Sequence, residues 1–141
     1  MSLADIIAGA VVVQKTIPGI AFAYTDAPES INENLPAFIT SPSAGQAEWP
    51  RKPNVRTITH DIVMDLFVSR GGDLASADKV LKPFADLVIQ TFDQNITLGG
   101  SCLNSGGITY KFGKLEYAGV MYLGIKFTLK AVEMTQVVYK G

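Results

Sequence analysis

Residues 56–69, RTITHDIVMDLFVS, alternate between two sets of positions more regularly than any other part of the chain. One face of this pattern carries Ile58, His60, Ile62, Met64, Leu66 and Val68. A period of two is typical of a half-buried β-strand. The twelve alternating residues 57–68, at about 3.4 Å each, span roughly 40 Å, whereas a globule of this chain length is roughly 37 Å across. We therefore expect a strand that crosses the whole domain or projects from it.

The segment before this strand predicts a helix and two short strands. Ser2, followed three residues later by Asp5, is an N-cap signal, and apolar residues then recur on one face until Pro18-Gly19. Short strands are expected over 20–24 and 36–40.

Residues 41–56 contain three prolines and no periodic pattern, so we expect a long, irregular, proline-rich loop here. Trp49, the single tryptophan, lies in its middle. It either folds back onto the core of its own domain or acts as an aromatic anchor in a pocket of another subunit.

The segment after the long strand predicts a second main helix over 83–93, because Pro83 is disfavoured inside a helix and favoured at its start. A shorter helical turn precedes it. A strand over 108–112 then leads through a turn at Gly113 into a second very long strand over 115–134.

Two glycines of that last strand, Gly119 and Gly124, are expected at a bulge, a bend or a close backbone approach. Two overlong strands in a small domain leave sheet edges that invite pairing, and identical neighbouring subunits are one way to cover them.

Composition describes one folded domain over residues 1–141, with 48% hydrophobic residues, 18% charged residues and a net charge of −1. This balance excludes the disordered class and a strongly basic nucleic-acid binder. Cys102 is the single cysteine, so no internal disulfide forms. The N-terminal apolar stretch lacks the features of a signal peptide, and no run approaches the roughly 20 apolar residues of a membrane span. We therefore expect a cytoplasmic chain.

Charge is unevenly distributed along the chain. Residues 1–65 hold seven acidic and four basic residues, whereas residues 109–141 hold two acidic and five basic ones. This asymmetry is either ordinary scatter on solvated faces or the basis of a head-to-tail contact between copies.

Residue types that carry chemistry are sparse. One His and one Cys, His60 and Cys102, give no metal-ligand cluster, and Asp61 and Asp65 are spaced too far apart along one strand for a carboxylate pair of the glycosidase type. Residues 107–114 do not fit a phosphate loop. We therefore predict no catalytic, cofactor-binding or metal site and no enzyme. The competing hypothesis is a monomeric ligand-binding domain or small enzyme that uses His60 and Cys102.

The chain resembles the tail terminator (tail completion) proteins of long-tailed bacteriophages. Four stretches carry the likeness, in the expected order: the N-terminal helix running into PGIAFAY (18–24), the long strand 56–70, LKPFADLVIQTFD (81–93) with TLGG (97–100), and YKFGKLEYAGVMYLGIKFTL (110–129). These are patterns of packing and turn residues rather than chemical signatures. Residues 41–56 lie outside the resemblance.

The resemblance implies a fold and a function. The fold is α+β, a mixed or antiparallel sheet with long strands packed against two main helices in a single domain. The function is that of a homo-hexameric ring at the head-proximal end of the tail tube, which stops polymerisation and joins the tail to the head connector. Its partners are further copies of itself, the tail tube protein and a connector or neck protein. It needs no cofactor and no membrane, and DNA only passes through the ring lumen.

The implied location is the neck of the virion, with assembly in the host cytoplasm. A different neck or head-completion connector protein is the nearest alternative. The residues expected to contact other subunits or partners lie in the 41–56 loop and the last strand: Trp49, Arg51, Lys52, Arg56, Tyr117, Tyr122, Lys126 and Lys130.

Overall fold

The computed structural model describes residues 1–31, 34–51, 54–70 and 74–138. In chain order the elements are α1 (Leu3–Lys15), β1 (Phe22–Tyr24), β2 (Ala37–Ala47), β3 (Val55–Arg70), α2 (Leu74–Asp93), β4 (Asn104–Tyr117) and β5 (Val120–Gln136). The strands form one sheet in the order β1-β2-β3-β5-β4, in which β1 and β2 are parallel and the other neighbours antiparallel. The predicted α+β fold, with a mixed sheet and two main helices, is confirmed.

Helix α1 begins where the sequence predicts. The Ser2 hydroxyl accepts a hydrogen bond from the Asp5 backbone N–H at 3.1 Å, which satisfies one of the N–H groups left open at a helix start. The helix ends at Lys15, and Gly19 then adopts a φ of 89° that favours glycine. The N-cap at Ser2 and the helix-ending Pro18-Gly19 could both be predicted from the local sequence.

Helix α2 is longer than expected, since it runs unbroken from Leu74 to Asp93 with Pro83 inside it. The prediction of a helix that starts at Pro83 was wrong. Pro83 is exposed, as is Lys79, whose carbonyl would have accepted the missing N–H. Solvent around this part of the helix lowers the free energy that the lost hydrogen bond costs, and the apolar face C-terminal to it packs on the sheet.

The main core lies between one face of the sheet and both helices. Alternate residues of β3 and β5 point into it, among them Ile62, Met64, Ile125 and Phe127, each fully buried. This is the alternation that the sequence predicts for 56–69. A smaller cluster of Ile31, Ile39, Phe67 and Tyr122 lies on the opposite face, near one end of the sheet.

Gly124 is required by a close approach of two strands. A β-carbon added there would overlap the carbonyl oxygen of Leu66 and lie 3.0 Å from Leu115 Cδ1. The β3–β5 register shifts between Phe67 and Ser69, immediately beside this contact. The prediction of a bulge or close approach at Gly124 is confirmed.

Three strands extend beyond the main core and form what we call the arm, residues 41–51, 54–61 and 132–138. In the described part of the chain, the main core contains no residue of β2 after Phe38, none of β3 before Ile62 and none of β5 after Ala131. All residues from Ser41 to Trp49 are exposed. The long strand of the sequence analysis therefore projects from the domain.

The expected irregular loop over 41–56 was wrong in its first half. Residues 41–47 continue β2 and pair with β3, and β3 already begins at Val55. Pro42 lies where the register shifts, on a strand whose other edge is uncovered at that level, so its missing N–H leaves the pairing intact. Pairing with a long regular strand overrides a proline- and glycine-rich composition.

The expected turn at Gly113 was also wrong. Strand β4 runs through Gly113, which pairs opposite Gly124, and the connection to β5 is the two-residue hairpin Ala118-Gly119. Ala118 has a φ of 50° and Gly119 a φ of 79°, the positive values of a type I′ turn. Neither α1 nor α2, as far as the described residues go, is apolar enough over a sufficient length to cross a bilayer.

Candidate interaction surface

The residues expected to make subunit contacts fall in three separate places. Trp49, Arg51 and Arg56 lie at the end of the arm, whereas Lys126 and Lys130 lie on the sheet face opposite the helices. The two tyrosines belong to the small second cluster. Lys52 lies outside the described residues.

The end of the arm, residues 48–51 and 54–56, is what we call the arm tip. Its connection is held by backbone hydrogen bonds from Glu48 N–H to Thr57 O at 2.9 Å and from Arg51 N–H to Val55 O at 2.8 Å. The Arg56 Nε–H donates to Glu48 O at 3.1 Å. The arm tip is therefore a defined structure.

Trp49 is 90% exposed at this arm tip. Of the two readings that the sequence left open, a ring folded onto its own core is wrong. An exposed indole of this kind is a candidate contact residue, because burying an aromatic ring in a partner is one of the largest favourable contributions to binding.

The two lysines of β5 face carboxylates of β3 on the exposed sheet face. Lys126 Nζ lies 3.7 Å from Asp65 Oδ1, and Lys130 Nζ lies 3.9 Å from Asp61 Oδ1. Burial raises the pKa of Asp65, an effect that the Lys126 ammonium partly offsets. The ammonium groups of both lysines reach solvent, and Asp65 is the more buried of the two carboxylates on this face.

Tyr122 was wrongly predicted as a contact residue, because it is only 2% exposed. Its ring meets Phe67 edge-on at 5.5 Å. Tyr117 packs against the same Phe67 ring at 5.6 Å, and its hydroxyl donates to the carbonyl oxygen of Pro28. The segment before β2 covers this part of the sheet. Residues 25–36 have no periodic pattern from which this contact could have been predicted.

Two exposed apolar surfaces were missed from sequence. The first is the outer edge of β4, to which no strand is bonded within the described residues and where Tyr110 and Phe112 are 49% and 42% exposed. Their rings pack edge to face at 5.5 Å. The signal available in the sequence was Lys111 between Tyr110 and Phe112, which puts both rings on one face of the strand.

The second missed surface is a groove of about 440 Å³ between α1 and the turn at 98–101, which we call the α1 groove. Asp5, Ala8 and Val12 form its helical wall, and Leu98 to Ser101 form the other wall. Val12 is 63% exposed. The signal was in the helix itself, since α1 is apolar almost all round although one side of it faces solvent.

His60 and Cys102 do not come together. His60 Nε2 lies 2.9 Å from Glu133 Oε1, and both of these side chains are close to fully buried. Strand β5 separates His60 from Cys102, which puts them roughly 10 Å apart, two strand spacings. Burial raises the pKa of the Cys102 thiol, which disfavours the nucleophilic thiolate.

The described side chains contain no group of three or more His, Cys, Asp or Glu residues arranged to hold a metal ion. The surfaces that remain as candidates are the arm tip, the ion-paired sheet face, the β4 edge and the α1 groove. No family model matches this chain, and no curated protein matches it either.

Proposed function

We propose that this protein is a structural component of a long-tailed bacteriophage. As a homo-hexameric ring it caps the head-proximal end of the tail tube, stops tube polymerisation and joins the tail to the head connector. The resemblance in sequence supports this proposal, and its four stretches correspond to α1 with β1, to β3, to α2 with the following turn, and to the β4–β5 hairpin.

The arm is the observation that carries the proposal. It places a 90% exposed tryptophan and two arginines at the end of a three-stranded extension that contributes no residue to the main core. Such a feature fits a protein whose activity lies in contacts with other molecules. Contacts between different surfaces of identical copies generate rings when the rotation closes.

The charge asymmetry of the sequence does not separate into two opposite surfaces, because Lys126 and Lys130 of the last third face Asp65 and Asp61 within the same chain. The mechanism is steric and interfacial. One ring face presents an acceptor surface for the last ring of tube protein, and the other lacks the features that admit a further tube ring.

Binding to purified tail tubes tests the proposal. We expect rings with six-fold symmetry, seen by electron microscopy at one end of each tube only, and tubes so capped should fail to elongate when free tube protein is added. Rings on portal or connector complexes without tube binding would favour the neck-connector alternative. Binding to neither would contradict an assembly role.

A variant of the two chemically reactive side chains separates this role from the competing enzyme hypothesis. His60→Gln/Cys102→Ala removes the imidazole and the thiol, and the glutamine amide still reaches toward Glu133. A folded variant should cap tubes as the wild type does. Loss of activity in a variant with the wild-type circular dichroism spectrum would contradict the proposal.

A further inference from the structure

We propose that the arm tip of one copy docks in the α1 groove of a neighbouring copy, with the Trp49 indole as the inserted group. This inference rests on the proposed function, because it assigns the contact that links subunits of the ring. Donor and acceptor are different surfaces of the same chain, so each copy gives one contact and receives another.

The apolar surfaces match in kind. Trp49 is the most exposed large hydrophobic residue of the described chain. Met1, Ala8 and Val12 present the exposed apolar surface of the α1 groove, and a β-carbon added at Gly99 or Gly100 would meet nothing within 4 Å. The glycine wall leaves room for a planar ring next to an apolar helix face.

The described side chains of the arm tip are net positive, because Arg51 and Arg56 outnumber Glu48, which is exposed next to Trp49. Asp5 is exposed at the rim of the α1 groove and is the one charged side chain among its described lining residues. Such complementarity orients the docking copy and suppresses the like-charged arrangement in which two tips meet.

The contact has to form between copies. Pro42 lies beside Ala4 and Ala8 of its own helix, and seven residues of extended chain, roughly 20 Å, separate Pro42 from Trp49. Folding the tip back would break the pairing of β2 with β3 and the Glu48–Thr57 and Arg51–Val55 hydrogen bonds.

Sedimentation velocity of the full-length chain over a concentration series, up to its solubility limit, tests the inference. We expect wild-type protein to self-associate and Trp49→Ala to raise the dissociation constant by roughly 30-fold or more, as for a central aromatic anchor. Phe22→Ala is the matched control, since it removes an aromatic ring that is 46% exposed on β1, an edge strand of the sheet. It should leave association unchanged.

A charge exchange identifies the acceptor. Arg51→Glu and Asp5→Lys should each weaken association, and the double variant should recover much of the loss. Asp5→Lys also weakens the start of α1, but a helix effect cannot be repaired by a change at residue 51. Wild-type protein that stays monomeric throughout, an unchanged Trp49→Ala variant, or a double variant no better than the singles would each overturn the inference.

The inference and the proposed function fail separately. Self-association that is lost in Trp49→Ala, together with no binding to tail tubes, would support the docking contact and contradict the tail role. Rings of Trp49→Ala protein on tube ends would retain the tail role and refute the docking contact.

Discussion

Gly124 of β5 lies so close to Leu66 of β3 that a β-carbon added to the glycine would overlap the leucine carbonyl oxygen. The contact involves backbone, which cannot rotate out of the way as a side-chain end does. It also coincides with the register shift between Phe67 and Ser69, where β3 has one more residue than β5.

Gly124→Ala should therefore destabilise the protein by about 1–3 kcal/mol, because β3 has to shift to admit the methyl group. Gly113→Ala is the matched control. Gly113 pairs directly opposite Gly124, and a β-carbon there would meet nothing within 4 Å. Urea unfolding of the three proteins measures the difference, and equal loss of stability in both variants would contradict the close approach.

Tyr122→Ala should cost about 3–5 kcal/mol of unfolding free energy, the usual range for removing a buried aromatic ring. Tyr110→Ala removes the same side chain from a position that is 49% exposed, and should cost less than half as much. Thermal unfolding followed by circular dichroism compares the two. A Tyr122→Ala variant as stable as Tyr110→Ala would show that the second cluster contributes little to the fold.

Asp65 should make the stability depend on pH in a defined direction. Burial raises its pKa in the folded state, so the folded protein holds the proton more tightly than the unfolded chain does. The contribution of Asp65 to stability therefore rises as pH falls through the raised pKa and is fully present below the unfolded value.

Asp65→Asn removes this contribution. The unfolding free energy of the variant minus that of wild type should therefore be more positive at pH 7 than at about pH 4, which is near the ordinary pKa of a free aspartate carboxyl group. Urea unfolding at both pH values measures the difference. Asp61→Asn removes the other cross-strand ion pair of this face and serves as the control for losing a pair. A difference between wild type and Asp65→Asn that is the same at both pH values, or reversed, would contradict the burial effect.

Cys102 should be almost inert toward a thiol reagent in the folded protein at pH 8. It is only 3% exposed, and burial raises its pKa, so reaction requires local opening of the structure. We expect alkylation at least roughly 100-fold slower than in urea, equivalent to an opening free energy of about 3 kcal/mol.

Trp49→Cys in a Cys102→Ala background provides the matched exposed thiol, and it should react at close to the rate of the unfolded chain. Fast labelling of native Cys102 would contradict its burial and would revive a role for the thiol in chemistry.

Periodicity and caps predicted the parts of the fold that depend on one segment alone. The alternation of residues 56–69 predicted β3, and Ser2 with Asp5 predicted the start of α1. Gly124 was recognised because a glycine inside an apolar strand indicates a close approach. These signals are local, so no knowledge of the rest of the chain is needed to interpret them.

The errors arose where a distant segment determines the outcome. Residues 41–47 are a strand because β3 pairs with them, and Gly113 stays extended because it lies between paired neighbours. Tyr122 is buried because Ile31 and Ile39 cover it. The arm tip was recognised as a contact element from its single tryptophan, but the α1 groove depends on how two segments 90 residues apart pack together.

The arm also has a mechanical consequence. β3 and β5 are paired almost without interruption from Val55 beside Gln136 to Arg70 beside Tyr122, so the arm and the core share one ladder. A pull on the arm tip along the strands would load these hydrogen bonds in shear and distribute the force over the whole ladder. A pull across the sheet would open them one after another. A neighbouring molecule that pulls on the tip along the strand axis would therefore load the arm in the direction in which its hydrogen bonds resist force best.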